Sequence, residues 1–335
     1  MQPAEQRPLI VLLAAHPIWN VPPFFNAARL LAKNGFRVIV IGYQQGDLAR
    51  RERICDHAVI FRVAVRSRSI SLGPIRKFCS LFEFLRRSRR IIHRLKPALV
   101  TVFNDPTSLI LKHLKRQRIP TVCWLLEYPE ADLAGRLEGL LMRFCQQSWQ
   151  RGDALVVPNH QRLALHLSLR PECQYLPCFV VHNAPPGDAV DSLQGEAAEK
   201  AIHEVRRARE RGNAVVVYSG AVGIRYGIQT LLQAVLEREG VFLLILGKQH
   251  DLAVSEVSEI APDYDTNERI RWIDEIPYRD LPSVLKEADI GFVHYIGENL
   301  NTRFSAPGKL YEYMRAGLAV LSLVVPWVWL WPTVY

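Results

Sequence analysis

Short β-branched runs alternate with helical patterns along this chain, and that alternation leaves few folds open to it. Residues 9–15 form an apolar run, and the loop H-P-I-W-N-V-P-P-F-F follows. Residues 26–34 carry a helical pattern that Gly35 stops, and residues 36–42 are a second apolar run. Strand, loop, helix, strand is how a parallel, doubly wound sheet begins, because parallel neighbours need a crossover between them. Residues 98–103, 119–126 and 153–157 read as further strands. A helix over 136–151 and another opening at Pro158-Asn159-His160 lie among and after them. The polar, turn-rich run G-D-A-V-D-S-L-Q-G-E then reads as a linker, with the boundary near Pro186.

Beyond it the alternation repeats. Helical patterns at 196–211, 250–260 and 279–288 separate strands at 214–219, 241–247, 269–273 and 290–295. The expectation is an α/β chain of two facing Rossmann-like domains with a cleft between them, residues 1–186 and 187–335. At 335 residues each half is long enough to bury its own core.

In open sheets of this kind ligands bind at the carboxyl ends of the strands. The loop holding His16 and Asn20 sits at such an end. It contains no G-x-G, which argues against a dinucleotide oxidoreductase. Asp105 and Glu127 follow two other strands and fall on the same side of the sheet, with turn formation as the alternative use for Asp105 before its proline. In the second half the loop S-G-A-V-G-I-R-Y-G has Gly220, Gly223 and Gly227, which let backbone N–H groups come close to an anion, and Arg225 adds charge.

Residues 301–320 read N-T-R-F-S-A-P-G-K-L-Y-E-Y-M-R-A-G-L-A-V. Pro307 suits a first helical turn, and Ser305 can offer a capping oxygen just before it. Lys309 and Glu312, three apart, share a face; Leu310 and Met314 fall on another. Gly317 stops the helix and a strand resumes at Ala319. A helix N-terminus beside a lysine suits phosphate, and a glutamate one turn on can accept hydrogen bonds from sugar hydroxyls. An ordinary helix packed on a sheet would show the same periodicity.

The run S-A-P-G-K-L-Y-E-Y-M-x-A-G-L-A-V resembles the donor-site segment of glycosyltransferase family 4, retaining enzymes of the GT-B fold. The exit F-V-V-H-N-A-P resembles the V-x-N-x-P that closes the N-terminal domain of that family. The resemblance implies a transferase that moves a sugar, of the hexosyl type, from a nucleoside diphosphate sugar to an acceptor hydroxyl, in surface polysaccharide or glycolipid assembly. It implies a donor site of Lys309, Glu312, Arg225, Gly220, Gly223, Ser305, Pro307 and Gly308, with Lys309 at the diphosphate and Glu312 on the ribose. His16 and Asn20 fall on the acceptor side, and Asp105 and Glu127 at the catalytic positions. No metal or other cofactor is implied. Family chains place histidines where Asn104 and Leu126 stand here, a basic residue at Tyr226 and a glutamate at Phe304. A nucleotide-sugar epimerase or hydrolase of the same fold, or an inactive donor-binding scaffold, would share these marks.

Composition bounds the partners. With 49% hydrophobic and 22% charged residues the chain is globular, and its formal net charge of +9 favours acidic partners. Six cysteines and ten histidines show no metal-ligand spacing. Scattered cysteines and an N-terminus without a long apolar region fit a cytoplasmic protein with reduced thiols. Between Arg62 and Lys96 eleven Lys or Arg face the single Glu83, interleaved with Phe78, Leu81, Phe82, Leu85, Ile92 and Leu95 at helical spacing. That pattern fits a core-packed helix with a solvated basic face, or one lying on the inner face of an anionic membrane. Nucleic acid has only the charge in its favour. Residues 318–335 carry no charge and hold three tryptophans and two prolines. The family pattern implies further helices after Ser322, so the C-terminal domain is expected to be incomplete and its tail an exposed apolar strand, with a membrane-seeking tail as the alternative.

Overall fold

The computed structural model describes residues 7–18, 21–65, 73–104, 106–128, 136–186, 195–274, 276–297 and 299–322. Asn20, Asp105 and the tail after Ser322 lie outside them, as does the side chain of Arg225. The chain divides into two compact units, residues 1–182 and 183–335.

Unit 1 is built on an eight-stranded sheet in the order β3-β4-β2-β1-β5-β6-β7-β8. Its strands are β1 (Leu9–Ala14), β2 (Arg37–Tyr43), β3 (Arg51–Cys55), β4 (Ala58–Val63), β5 (Leu99–Phe103), β6 (Thr121–Trp124), β7 (Ala154–Val157) and β8 (Cys178–Val180). Every pairing is parallel except β3 with β4. β1 is buried along its whole length, as a central strand covered on both faces must be. The helices are α1 (Pro22–Lys33), α2 (Gly73–Leu95), α3 (Leu111–Arg116), α4 (Arg136–Ser148) and α5 (His160–Leu169). α1 starts four residues before its periodicity suggests, because Pro22 and Pro23 occupy a first turn whose N–H groups have no intrahelical acceptor. α5 is capped by Asn159, whose side chain accepts from the Arg162 amide at 2.6 Å.

The basic stretch divides differently from its sequence pattern. Arg62 belongs to β4 and is 1% exposed. It donates to the carbonyls of Pro17 (2.9 Å), Ala49 (2.6 Å) and Ile18 (2.7 Å) and to the Glu52 carboxylate (2.6 Å). It is therefore a structural clamp on the loop after β1 and takes no part in a basic surface. Phe82, expected on the core side of α2, is 57% exposed, whereas Phe84 and Ser88 are buried there.

Unit 2 carries a five-stranded parallel sheet in the order β11-β10-β9-β12-β13. Its strands are β9 (Ala214–Ser219), β10 (Val241–Leu246), β11 (Ile270–Ile273), β12 (Ile290–Val293) and β13 (Ala319–Ser322). The helices are α6 (Glu196–Glu210), α7 (Ile228–Leu236), α8 (Asp251–Ile260), α9 (Leu281–Leu285), α10 (Leu300–Arg303) and α11 (Gly308–Ala316). The period-2 alternation of β9 sends Val215 and Val217 into a core with α6, α9 and α11. Val216 and Tyr218 go into a second core with α7 and α8. From β9 the chain adds β10 and β11 on one side and then returns to place β12 on the other. The carboxyl ends of β9 and β12 thus flank the crevice that such a reversal opens.

Replacing Arg62 by methionine is expected to destabilise unit 1 by about 3 kcal/mol, because three carbonyls and a carboxylate lose their donor together. Urea unfolding followed by circular dichroism measures it; an unchanged midpoint would contradict the clamp.

Candidate functional site

The turn into α11 is held by backbone rather than by a side-chain cap. Pro307 takes the N-cap position with extended geometry and no side-chain cap bond. Ser305, expected to cap, is instead buried with its Oγ unpartnered among the described residues. Asn183 holds the turn, its Nδ2 donating to the Ala306 carbonyl at 2.9 Å. At the other end Gly317, at φ +81°, supplies the left-handed residue that stops the helix. The buried face of α11 is Leu310 and Tyr313; Met314, expected beside Leu310, is 49% exposed.

Tyr313 ties α11 to β9. Its hydroxyl accepts from the Ser219 amide at 2.9 Å and lies 3.1 Å from Ser219 Oγ. The ring packs on Gly291 of β12 so closely that a Cβ there would stand 2.3 Å from it. α11 is therefore pinned to the last residue of β9 and to the body of β12, the two strands that bound the crevice.

Lys309, in the first turn of α11, points its Nζ at the face of Tyr218, 4.0 Å from the ring centroid. The rings of Tyr295 and Tyr226 lie 5.7 and 5.9 Å away and meet each other edge-on. Burial strips the ammonium of water and depresses its pKa to about 7, against the opposing pull of Glu312. The ring faces return part of that loss through cation–π attraction. Opposite stands Gly220 at φ +115°, where a Cβ would lie 3.5 Å from Nζ. Gly220 fits only because its neighbour is Gly247, where a Cβ would meet the Gly220 carbonyl oxygen at 2.2 Å. Glu312 is pushed up to about 7, chiefly by burial; Lys309, a hydrogen bond with Tyr278 and Arg315 pull the other way. Lys309 and Glu312 thus sit on one side of α11 as their spacing predicts.

The glycine loop is more self-contained than its sequence suggests. The amides of Gly220, Tyr226 and Gly227 donate to the carbonyls of Leu246, Gly223 and Ile224. Glu256 of α8 accepts from the Ile224 amide at 2.8 Å. Gly227, at φ +70°, lies where any Cβ would collide with the His294 ring. The loop therefore presents its ring at Tyr226 to Lys309 while much of its amide set is already bonded.

In unit 1, His16 is exposed at the end of β1, its Nδ1 accepting from the Ile18 amide at 3.0 Å, and partial burial lowers its pKa. Glu127 is exposed after β6. Its amide, and that of Leu126, donate to Asn104 Oδ1 at 3.2 and 2.7 Å. Asn104 itself is left-handed, at φ +54°, a conformation asparagine tolerates better than most residues. Sequence reasoning treated Asn104 only as a missing histidine; the positioning role escaped it, as did the tyrosine cage. Among the described residues no group of three or more His, Cys, Asp or Glu is placed to hold a metal ion, and no helix is long and apolar enough to cross a membrane.

Residues 24–174 match the family model described as Glycosyltransferase Family 4. The N-terminal unit is a glycosyltransferase family 4 domain. A search of curated proteins finds no match. Among solved structures, sucrose-phosphate synthase from Thermosynechococcus elongatus superposes with a TM-score of 0.69 at 15% identity, covering 96% of this chain and 82% of that one. Anabaena HepE in complex with UDP-glucose gives 0.66 at 12%, covering 94% and 80%. An α,α-trehalose-phosphate synthase (UDP-forming) from Burkholderia xenovorans in complex with glucose-6-phosphate gives 0.60 at 12%, covering 92% and 82%. These likenesses establish the GT-B fold, and with the family match the chain is a GT-B glycosyltransferase.

In this glycosyltransferase the Tyr313 hydroxyl is the strut of the candidate site. Tyr313→Phe leaves the buried Ser219 amide without its acceptor and is expected to cost about 1–3 kcal/mol of unit 2 stability. Thermal unfolding measures the loss, which should exceed that of Tyr311→Phe on the same helix.

Proposed function

We propose that this glycosyltransferase is a retaining enzyme that transfers a hexosyl group from a nucleoside diphosphate sugar to an acceptor hydroxyl, in the assembly of a surface glycan or glycolipid. The observation that carries the reading is Lys309: a partly desolvated ammonium at the switch point of unit 2, in the first turn of a helix. An anion arriving there would restore the charge that burial costs it. In this reading Lys309 holds the diphosphate as it departs, so charge developing on the leaving group meets a preorganised cation in a water-poor site, with no metal needed. Glu312, one turn further along α11, would accept from the ribose hydroxyls. HepE in complex with UDP-glucose, and the trehalose-phosphate synthase in complex with glucose-6-phosphate, support a nucleotide-sugar donor and a sugar acceptor by analogy of fold. Glu127 and Asp105 would lie toward the acceptor with His16 and Asn20, and Arg225 toward the diphosphate. The exposed basic residues of α2 fit peripheral contact with an anionic membrane where a lipid-linked acceptor would be met.

Transfer is tested by incubating the full chain with radiolabelled nucleotide sugars and candidate acceptors, and reading the anomeric configuration of the product by NMR. Inverted product would remove the retaining assignment. Sugar released or isomerised without acceptor would instead favour a hydrolase or epimerase.

The lysine also gives the reading a pH signature. Its pKa near 7 in the free protein should rise when a diphosphate binds, so the protein takes up a proton on binding, and affinity falls as pH climbs past 7. Calorimetry with UDP at pH 8, in buffers of different ionisation enthalpy, should show greater proton uptake by the wild type than by Lys309→Met. The variant should also bind at least tenfold more weakly. Equal uptake would place the diphosphate elsewhere.

A further inference from the structure

We propose that the depression between α2 and α3 in unit 1 binds a phosphate group, as a phosphomonoester or pyrophosphate. It goes beyond the donor reading and does not depend on it. Arg86, Arg89, Arg90, His93 and Arg94 of α2, with His113 of α3 and Gln117 just after it, line an open concavity of about 550 Å³. Arg86, Arg90 and Arg94 follow one another at a single helical turn, and Arg86, Arg89 and His93 form the adjoining row.

The lining contains no carboxylate. Glu83 of α2 is bonded to Arg87 at 2.6 Å, and Arg87 also donates to the Ala64 carbonyl, so that pair lies outside the cluster. Like charges one turn apart destabilise a helix. The core-facing side of α2 is already supplied by Leu81, Phe84, Leu85, Ser88 and Ile92, so packing makes no demand for arginine on the outer face. A multiply charged anion offsets the mutual repulsion. Guanidinium forks match phosphate oxygens two at a time, which a single carboxylate charge could not satisfy across four arginines.

His113 completes the arrangement. Arg89 Nη2 lies 2.7 Å from its Nδ1, and since a guanidinium only donates, Nδ1 accepts and the remaining proton sits on Nε2. Burial and the nearby Arg89, His93 and Arg116 all lower the imidazole pKa. It is thus a neutral donor fixed at the edge of a cationic cluster. Phe82, exposed one turn before Arg86, is an apolar neighbour that the acyl region beneath a lipid phosphate would use and a free phosphate would not.

The test uses the full chain at low salt. Inorganic phosphate is titrated calorimetrically into the wild type, Lys309→Met, Arg86→Gln/Arg90→Gln and the charge-matched control Lys200→Gln/Arg207→Gln on α6. In parallel, the same proteins are sedimented with phosphatidylcholine vesicles containing phosphatidic acid, which bears a phosphomonoester, or phosphatidylglycerol, which does not. Binding of phosphate or of phosphatidic acid vesicles that survives Lys309→Met and falls at least tenfold in Arg86→Gln/Arg90→Gln alone supports the site. Phosphate binding assigns a soluble ligand, and a preference for phosphatidic acid alone assigns a lipid. Absence of both kinds of binding overturns it. So does equal binding to the two vesicle types without phosphate binding, or equal weakening by the control pair.

Discussion

The geometry of unit 2 turns on one contact, the Lys309 ammonium against the Tyr218 ring. An ammonium in that position has given up water, and it is tolerable only because aromatic faces stand on several sides of it and Glu312 lies one turn away. Everything that brings those groups together works by close backbone approach. Gly247 admits the carbonyl of Gly220, which itself takes the φ of +115° that suits glycine, and Gly291 admits Tyr313, which carries the helix bearing the lysine. A methyl group at Gly247 or Gly291 would have to displace backbone or a buried ring, so the cage is built from absent side chains as much as from present ones.

Unit 1 solves a related problem with polar side chains. The loops after β1 and β6 leave the sheet at its carboxyl edge, where a ligand-facing segment has few backbone partners of its own. Arg62 fixes the first by two carbonyls, those of Pro17 and Ile18, while also holding Ala49 before β3, and Asn104 fixes the second by two amides. In each case one side chain, the buried Arg62 guanidinium or the half-buried Asn104 amide oxygen, supplies partners that a strand ladder would otherwise give, which lets the loop be ordered without being part of a strand. Neither His16 nor Glu127 is buried by this, so both remain exposed on their ordered loops.

What could be read in the sequence follows from how local each signal is. The two parallel sheets were legible because buried strands such as β1 and β10 are continuous apolar runs separated by helical spacing. The stop at Gly317 and the shared face of Lys309 and Glu312 were equally local. The hairpin of β3 and β4 was missed because β3 reads R-E-R-I-C, a charged edge strand with little apolar pattern, and its turn depends on His57 at φ +68°. Ser305 looked like a cap, but Asn183, more than a hundred residues earlier, holds the turn instead. The tyrosine cage was invisible for the same reason: Tyr218, Tyr226 and Tyr295 come from three separate segments and share nothing in sequence but their type.

That cage bears on how charge is distributed at the site. Family chains have a basic residue at the position of Tyr226, whose ring here lies 5.9 Å from Lys309 Nζ. A second cation at that distance in a poorly solvated crevice would repel the ammonium and push its pKa lower still, whereas an aromatic face attracts it. The phenol thus exchanges a fixed charge for a polarisable surface, and the Lys309 pKa lies at about 7. If an anion binds there as proposed, a site arranged in this way would carry less standing repulsion when empty and concentrate its response in one side chain, so its affinity would depend on pH more steeply than that of a site holding two permanent cations.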